Sequence, residues 1–171
     1  MRYGNPSIES GFQDLLKKMP DVEEIFMIPL YPHYAMATTR TVVEEAERVI
    51  AQNKWSFKLS IQDPFYEDPG YIQILADSIA PYVKKDFDHL LFSYHGVPVR
   101  HLKKQDPTDA HCYKMHNCCY THCQSTHESC YRHQVTMTTE RVIEKLGVPR
   151  DKWSISRKAQ YYLLKFEYNL G

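Results

Sequence analysis

The sequence predicts an α/β fold built on a doubly wound, mostly parallel sheet. Stretches with strand-like patterns alternate along the chain with amphipathic stretches of helical period, which is the signature of that class. The run Leu90-Leu91-Phe92-Ser93-Tyr94-His95-Gly96-Val97-Pro98 reads as a buried strand stopped by a Gly/Pro turn. With 171 residues, 43% hydrophobic and 25% charged, the chain can bury a full core.

The elements follow in order. Pro6 and Ser7 open a helix carrying Ile8, Phe12, Leu15 and Leu16 on one face, ending near Lys18 before Pro20. Residues 24–30 form a strand, and residues 31–39 a loop rich in hydroxyls and aromatics. Thr41, Val42, Ala46, Val49 and Ile50 then mark an amphipathic helix. Residues 55–61 alternate as a strand, Asp63-Pro64 breaks it, and residues 69–83 are helical with Ile72, Leu75, Ala76 and Ile79 on one side. Residues 87–94 form the buried strand. After a polar, cysteine-rich insertion, residues 135–146 return to helix, Gly147-Val148-Pro149 stops it, and a short strand lies around Trp153 to Ile155. Residues 157–171 form a helix-like tail outside the alternating pattern. The chain also opens on a helix where a doubly wound fold opens on a strand, so the fold is expected to be incomplete at both ends.

Composition excludes several function classes. Lys and Arg number 21 and Asp and Glu number 21, so there is no net basic field for nucleic acid. No apolar run approaches the ~20 residues that span a bilayer, and the N-terminus lacks the order of a signal peptide. The expected setting is the cytoplasm and the expected partner a small ligand. Oligomeric state is open; the helices starting at Thr41 and Pro69 read as core-facing, so peripheral membrane contact has no support in their pattern.

In open parallel sheets the ligand crevice lies beyond the carboxyl ends of the strands, so His95 reads either as a residue facing that crevice or as a turn histidine that hydrogen-bonds its own loop. An imidazole there can accept a proton or hold a metal ion. His89, inside the strand, reads as a packing or hydrogen-bonding residue.

All five cysteines fall between Cys112 and Cys130 in the spacing C-x5-C-C-x3-C-x6-C, interleaved with His111, His116, His122, His127 and His133. Soft metal ligands cluster in this way because one short loop can surround an ion. Zinc loops favour C-x2-C pairs, which are absent, whereas iron–sulfur clusters take four thiolates at varied spacing. A reducing compartment and an odd count argue against disulfides. Iron–sulfur, zinc and a redox or null role all stay open on the residues alone.

The runs Met1-Arg2-Tyr3-Gly4-Asn5-Pro6, Leu30-Tyr31-Pro32-His33-Tyr34 through Ala37-Thr38-Thr39, and Phe92-Ser93-Tyr94-His95-Gly96-Val97-Pro98 followed by Asp106-Pro107 resemble the ferrochelatase family in order and spacing. The resemblance covers residues 1–156. It implies a class II chelatase, a lyase of haem biosynthesis with two Rossmann-like halves around a porphyrin cleft, inserting ferrous iron into protoporphyrin IX or a close porphyrin. Residues 1–62 would then be the latter part of the N-terminal half. Residues 63–171 would be the first part of the C-terminal half, with the Cys/His-rich insertion at 106–133. The resemblance maps His95 onto the cleft histidine, as base or as ligand of the iron substrate. It maps Tyr31, Tyr34, Thr38 and Thr39 onto the porphyrin-cleft lip, and Arg2 and Tyr3 onto a segment near the cleft. The cysteine loop is similar to an insertion of some bacterial members that holds a [2Fe-2S] cluster, which implies Cys112, Cys118, Cys119 and Cys130 as ligands with Cys123 as the spare. The family's later S-x-H-x-x-E segment, with its catalytic carboxylate, has no counterpart, and the sequence diverges after Ser154-Ile155-Ser156, so a truncated chain is expected. A metal- or cluster-binding module on an α/β scaffold, and an inactive fragment, are the alternative readings.

Overall fold

The computed structural model describes residues 4–156, which divide into two compact units at Phe65/Tyr66. Arg2, Tyr3 and the tail after Ser156 lie outside the described residues. No helix among the described residues is long and apolar enough to cross a membrane.

In the first unit, α1 (Ile8–Lys18) starts at Ser7, whose hydroxyl accepts the Ser10 N–H at 3.0 Å, with Glu9 in its first turn and Lys17 and Lys18 in its last. β1 (Glu24–Met27) pairs in parallel with β2 (Lys58–Ile61), Glu24 opposite Lys58. Between them runs α2 (Thr41–Asn53), preceded by a π-helical turn over Met36–Arg40. Phe12, Ala46, Val49 and Phe57 form the buried core. Both strands are shorter than their sequence patterns. Pro29 and Pro32 lack N–H donors, so the ladder stops at Met27 and Leu30 is left 82% exposed. Trp55 and Phe57 instead pack on Phe12, at ring centroid distances of 5.8 and 5.5 Å.

In the second unit, α3 (Pro69–Val83) begins at Asp68, which accepts the Tyr71 N–H at 2.8 Å, with Pro69 at the first helical position. β3 (Leu90–Ser93) pairs in parallel with β4 (Trp153–Ser156). Two short helices, α4 (Val99–Gln105) and α5 (Gln124–His127), flank the cysteine loop, and α6 (Tyr131–Leu146) packs on α3. Ile72, Ala76 and Val142 form one core cluster, and Ile143, Val148 and Trp153 a second. Gly147 ends α6 at φ 65°, where a side chain would be strained.

The structure corrects two expectations here. β3 is not covered on both faces: its burial alternates and Leu91 is 58% exposed, while Leu90 and Phe92, on the other face, pack against the core clusters that include α3 and α6. α6 begins four residues before the expected start at 135, because the Cys130 sulfur serves as its N-cap and accepts the His133 N–H at 3.5 Å. Parallel strand pairs joined through helices make this an α/β fold.

Candidate functional site

His95 stands two residues beyond β3, at the carboxyl end of the strand. The approach to it is fixed at Tyr94, whose N–H bonds the Ser156 carbonyl at 2.9 Å and whose hydroxyl shares a 2.9 Å hydrogen bond with Thr139 on α6. His95 itself is exposed and lines a cavity of about 200 Å³ with Leu102, Tyr113, Tyr131 and Arg132 among its walls. An accessible imidazole beside two phenols and a guanidinium can exchange protons with, and orient, an anionic aromatic ligand. His89, expected inside the strand, precedes it and is exposed, with Nε2 2.8 Å from the Ser154 hydroxyl.

The cysteine loop is organised around Asp106, which is 8% exposed. Oδ2 accepts the N–H groups of Cys112 at 2.7 Å and His111 at 2.9 Å. Oδ1 accepts from the Thr108 hydroxyl at 2.7 Å, the Thr126 hydroxyl at 2.9 Å and the Thr108 N–H at 3.0 Å. Burial alone would raise this carboxyl group. The bonds from Cys112, Thr108, Thr126 and His111 outweigh it and hold the group well below the usual carboxylate range. Asp109, Tyr113 and Asn117 adopt positive φ of 47°, 61° and 51°, a region Asp and Asn tolerate and the bulky Tyr113 disfavours.

Cys112, Cys118, Cys119 and Cys130 are buried, Cys123 is half-buried, and all five are free thiols. Burial pushes the Cys112 thiol up to about 12, with Cys130, Cys118, Asp106 and Cys119 adding in the same direction, and burial also raises Cys130. Three of the five loop histidines, His111, His127 and His133, hydrogen-bond backbone carbonyls, while His116 and His122 are exposed. The Cys118 carbonyl accepts from Nε2 of both His111, at 2.6 Å, and His127, at 3.0 Å, and the Cys119 carbonyl accepts from Nδ1 of His133 at 2.6 Å. The His127 and His133 rings stack at 3.6 Å and 7°. Among the described residues, no three His, Cys, Asp or Glu side chains are arranged to hold a single metal ion. A mononuclear zinc site is therefore not formed in this arrangement: the rings are committed to carbonyls, and adjacent Cys118 and Cys119 cannot both turn to one point without unwinding the backbone.

Of the expected cleft residues in the first unit, Tyr31 is 41% exposed and Tyr34 half-buried. Thr38 and Thr39 lie in the π-helical turn. The Thr38 hydroxyl bonds the Ala35 carbonyl at 3.4 Å, while Thr39 is 7% exposed and its hydroxyl has no hydrogen-bond partner among the described residues. A π-turn with an unsatisfied buried hydroxyl is a common mark of a functional segment. Sequence reasoning missed Tyr113, Tyr131 and Arg132 beside His95. No periodic signal singles them out, because the loop fold and the start of α6 bring them there.

The family model for ferrochelatase matches residues 1–159. Over 156 residues the chain is 44% identical to the ferrochelatase of Pseudomonas fluorescens (strain Pf0-1), covering 91% of this chain and 45% of that protein. It is also 44% identical to that of Stutzerimonas stutzeri (strain A1501), with the same coverage, and 41% identical to that of Pseudomonas entomophila (strain L48), covering 46% of that protein. The chain thus spans about half the length of the curated relatives it matches. On a family match over nearly its whole length, the chain belongs to the ferrochelatase family.

Proposed function

We propose that this chain supplies the His95-bearing part of a ferrochelatase that inserts ferrous iron into protoporphyrin IX or a close porphyrin. One observation carries the reading beyond family membership: His95 is exposed at the carboxyl end of β3 in a cavity walled by Tyr113, Tyr131 and Arg132. Metallation removes two pyrrole N–H protons while a divalent ion, here a substrate, enters the ring. His95 accepts a proton or holds the entering ion, and the phenols and guanidinium orient the ring edge. Tyr31, Tyr34, Thr38 and Thr39 are assigned to porphyrin contact in the first unit, as are Arg2 and Tyr3, which lie outside the described residues. The unsatisfied Thr39 hydroxyl supports this assignment.

The cysteine loop is assigned a [2Fe-2S] cluster with Cys112, Cys118, Cys119 and Cys130 as ligands. The donor set fits on one count: four soft, buried donors lie in one loop, and a binuclear cluster does not need three of them around one point. When bound, such a cluster cross-links the loop and accepts one electron reversibly. This chain's own part is to hold the loop by Asp106 and to shield the thiols from water.

Zinc insertion into a soluble porphyrin, followed by fluorescence, tests the enzymatic reading on the parent and on His95→Ala, with porphyrin binding followed by absorbance. The parent is expected to bind porphyrin and incorporate zinc, and the variant to bind without turnover. A folded parent that neither binds nor metallates porphyrin would overturn the reading in favour of a cluster-binding module.

A further inference from the structure

Arg132 and Arg150 both line a second cavity, of about 330 Å³, together with Cys119, Thr136, Trp153 and Ser154. That volume lies within the ~300–1,000 Å³ typical of small-ligand sites. Arg132, in the first turn of α6, is half-buried, and its guanidinium carbon lies 4.5 Å above the Tyr113 ring. Arg150 lies 4.3 Å above the Trp153 ring, and its Nη1 donates to the Trp153 carbonyl at 3.1 Å. Stacking on aromatic faces fixes the two planar cations without neutralising them.

Elsewhere, Arg40, Arg48 and Arg141 each pair with a glutamate. Among the described residues neither Arg132 nor Arg150 has a carboxylate within ion-pair distance, although Arg132 is half-buried. The carboxylate of Glu140, near the cavity wall, instead accepts the Tyr120 hydroxyl at 2.7 Å. Two like charges lining one cavity repel each other and an anion between them relieves that repulsion, and forked guanidinium groups match the oxygens of carboxylate and phosphate. The hydroxyls of Thr136 and Ser154 make the remaining wall polar. Thr136 donates to the Arg132 carbonyl at 2.7 Å, which fixes its hydroxyl oxygen.

We propose that Arg132 and Arg150 clamp a small oxyanion, a phosphate or carboxylate group, in this cavity. Arg132 also lines the His95 cavity, so the same guanidinium serves both spaces. The oxyanion has two sources: a free anion of the phosphate type, or a carboxylate carried by the porphyrin. The second source rests on the proposed function; the first does not.

The test uses the full 171-residue chain with Trp55→Phe, which leaves Trp153 as the only one of the two tryptophans to report. Inorganic phosphate is titrated at constant ionic strength set with sodium chloride. A saturable change in Trp153 emission is expected, with apparent affinity weakened about tenfold or more in Arg132→Gln and in exposed Arg150→Gln. Calorimetry then compares a dicarboxylate porphyrin with its dimethyl ester. A preference for the free acid that Arg150→Gln erases places the oxyanion on the porphyrin. Circular dichroism melts establish that both variants fold, so a lost response reports on the clamp. Porphyrin that fails to bind in either form sinks the proposed function and leaves the phosphate titration standing. No saturable phosphate response, together with porphyrin affinities unaltered in both variants, overturns the clamp.

Discussion

The carboxylate of Asp106 lies 2.7 Å from the backbone N–H of Cys112, six residues away, and closes the entrance of the cysteine loop. Because the same carboxylate also takes four other bonds, replacing it leaves several donors in a buried place without partners. Asp106→Asn is expected to lower the stability of the second unit by ~1–3 kcal/mol in urea denaturation. The folded carboxyl titrates below its unfolded value, so its stabilisation is complete above about pH 4 and is lost as pH falls toward the folded pKa. The variant should therefore show a flatter acid limb than the parent, and an unchanged acid limb would refute this account.

His33 gives a second test, in the first unit, with the same sign but a higher pH window and from a group that is a base. Burial lowers it to about 4. The unfolded chain takes up this proton first as pH falls below about 6.5, so stability is full above that value, declines through the window, and its loss is complete below about pH 4. His33→Gln should remove that slope while leaving stability near pH 8, or about 1.5 units above the unfolded value, little changed. Thermal melts at closely spaced pH values measure it.

Cys119→Ser should bleach the visible absorbance of the anaerobically purified chain, whereas Cys123→Ser should not, because Cys119 is 6% exposed among the buried thiols and Cys123 is the more exposed, at the edge of α5. Iron and sulfide analysis alongside the spectra decides it: unchanged content in Cys119→Ser removes that ligand from the set.

Ile72 is 2% exposed and packs with Ala76 and Val142 where α3 meets α6. Ile72→Ala should cost ~2–5 kcal/mol through lost transfer energy and the cavity left behind. Denaturant midpoints measure it; a cost under ~1 kcal/mol would mean that the α3–α6 contact is not the core of the unit.

Much of the helical frame was legible in the sequence because its stops are local. Ser7, Asp68 and Gly147 act through bonds or dihedrals within one turn, and the helix over Pro69–Val83 has the bounds its pattern predicts. Strand lengths were not, because a strand ends where its partner ends: Leu90 and Ser93 are bounded by Trp153 and Ser156, 63 residues on. The π-turn at Met36–Arg40 left no periodic mark, and the sulfur cap at Cys130 is not among the usual cap residues. His95 was legible from the strand-and-turn pattern. Its neighbours Tyr113 and Arg132 were not, since they reach it only through the positive-φ turns of the loop and the start of α6.

The three imidazoles that donate to the Cys118 and Cys119 carbonyls also set what this metal-rich composition can do. A divalent ion that took Nε2 of His111 or His127 would displace the ring proton and remove one of the two bonds to the Cys118 carbonyl, and one that took Nδ1 of His133 would remove the bond to the Cys119 carbonyl. Nine histidines and five cysteines suggest a chelator, yet these three rings serve as fasteners for the peptide turn that carries the paired thiols. Hydrogen bonding therefore commits these three nitrogen donors to the backbone of Cys118 and Cys119 and sets them apart from the soft sulfur donors of the same loop.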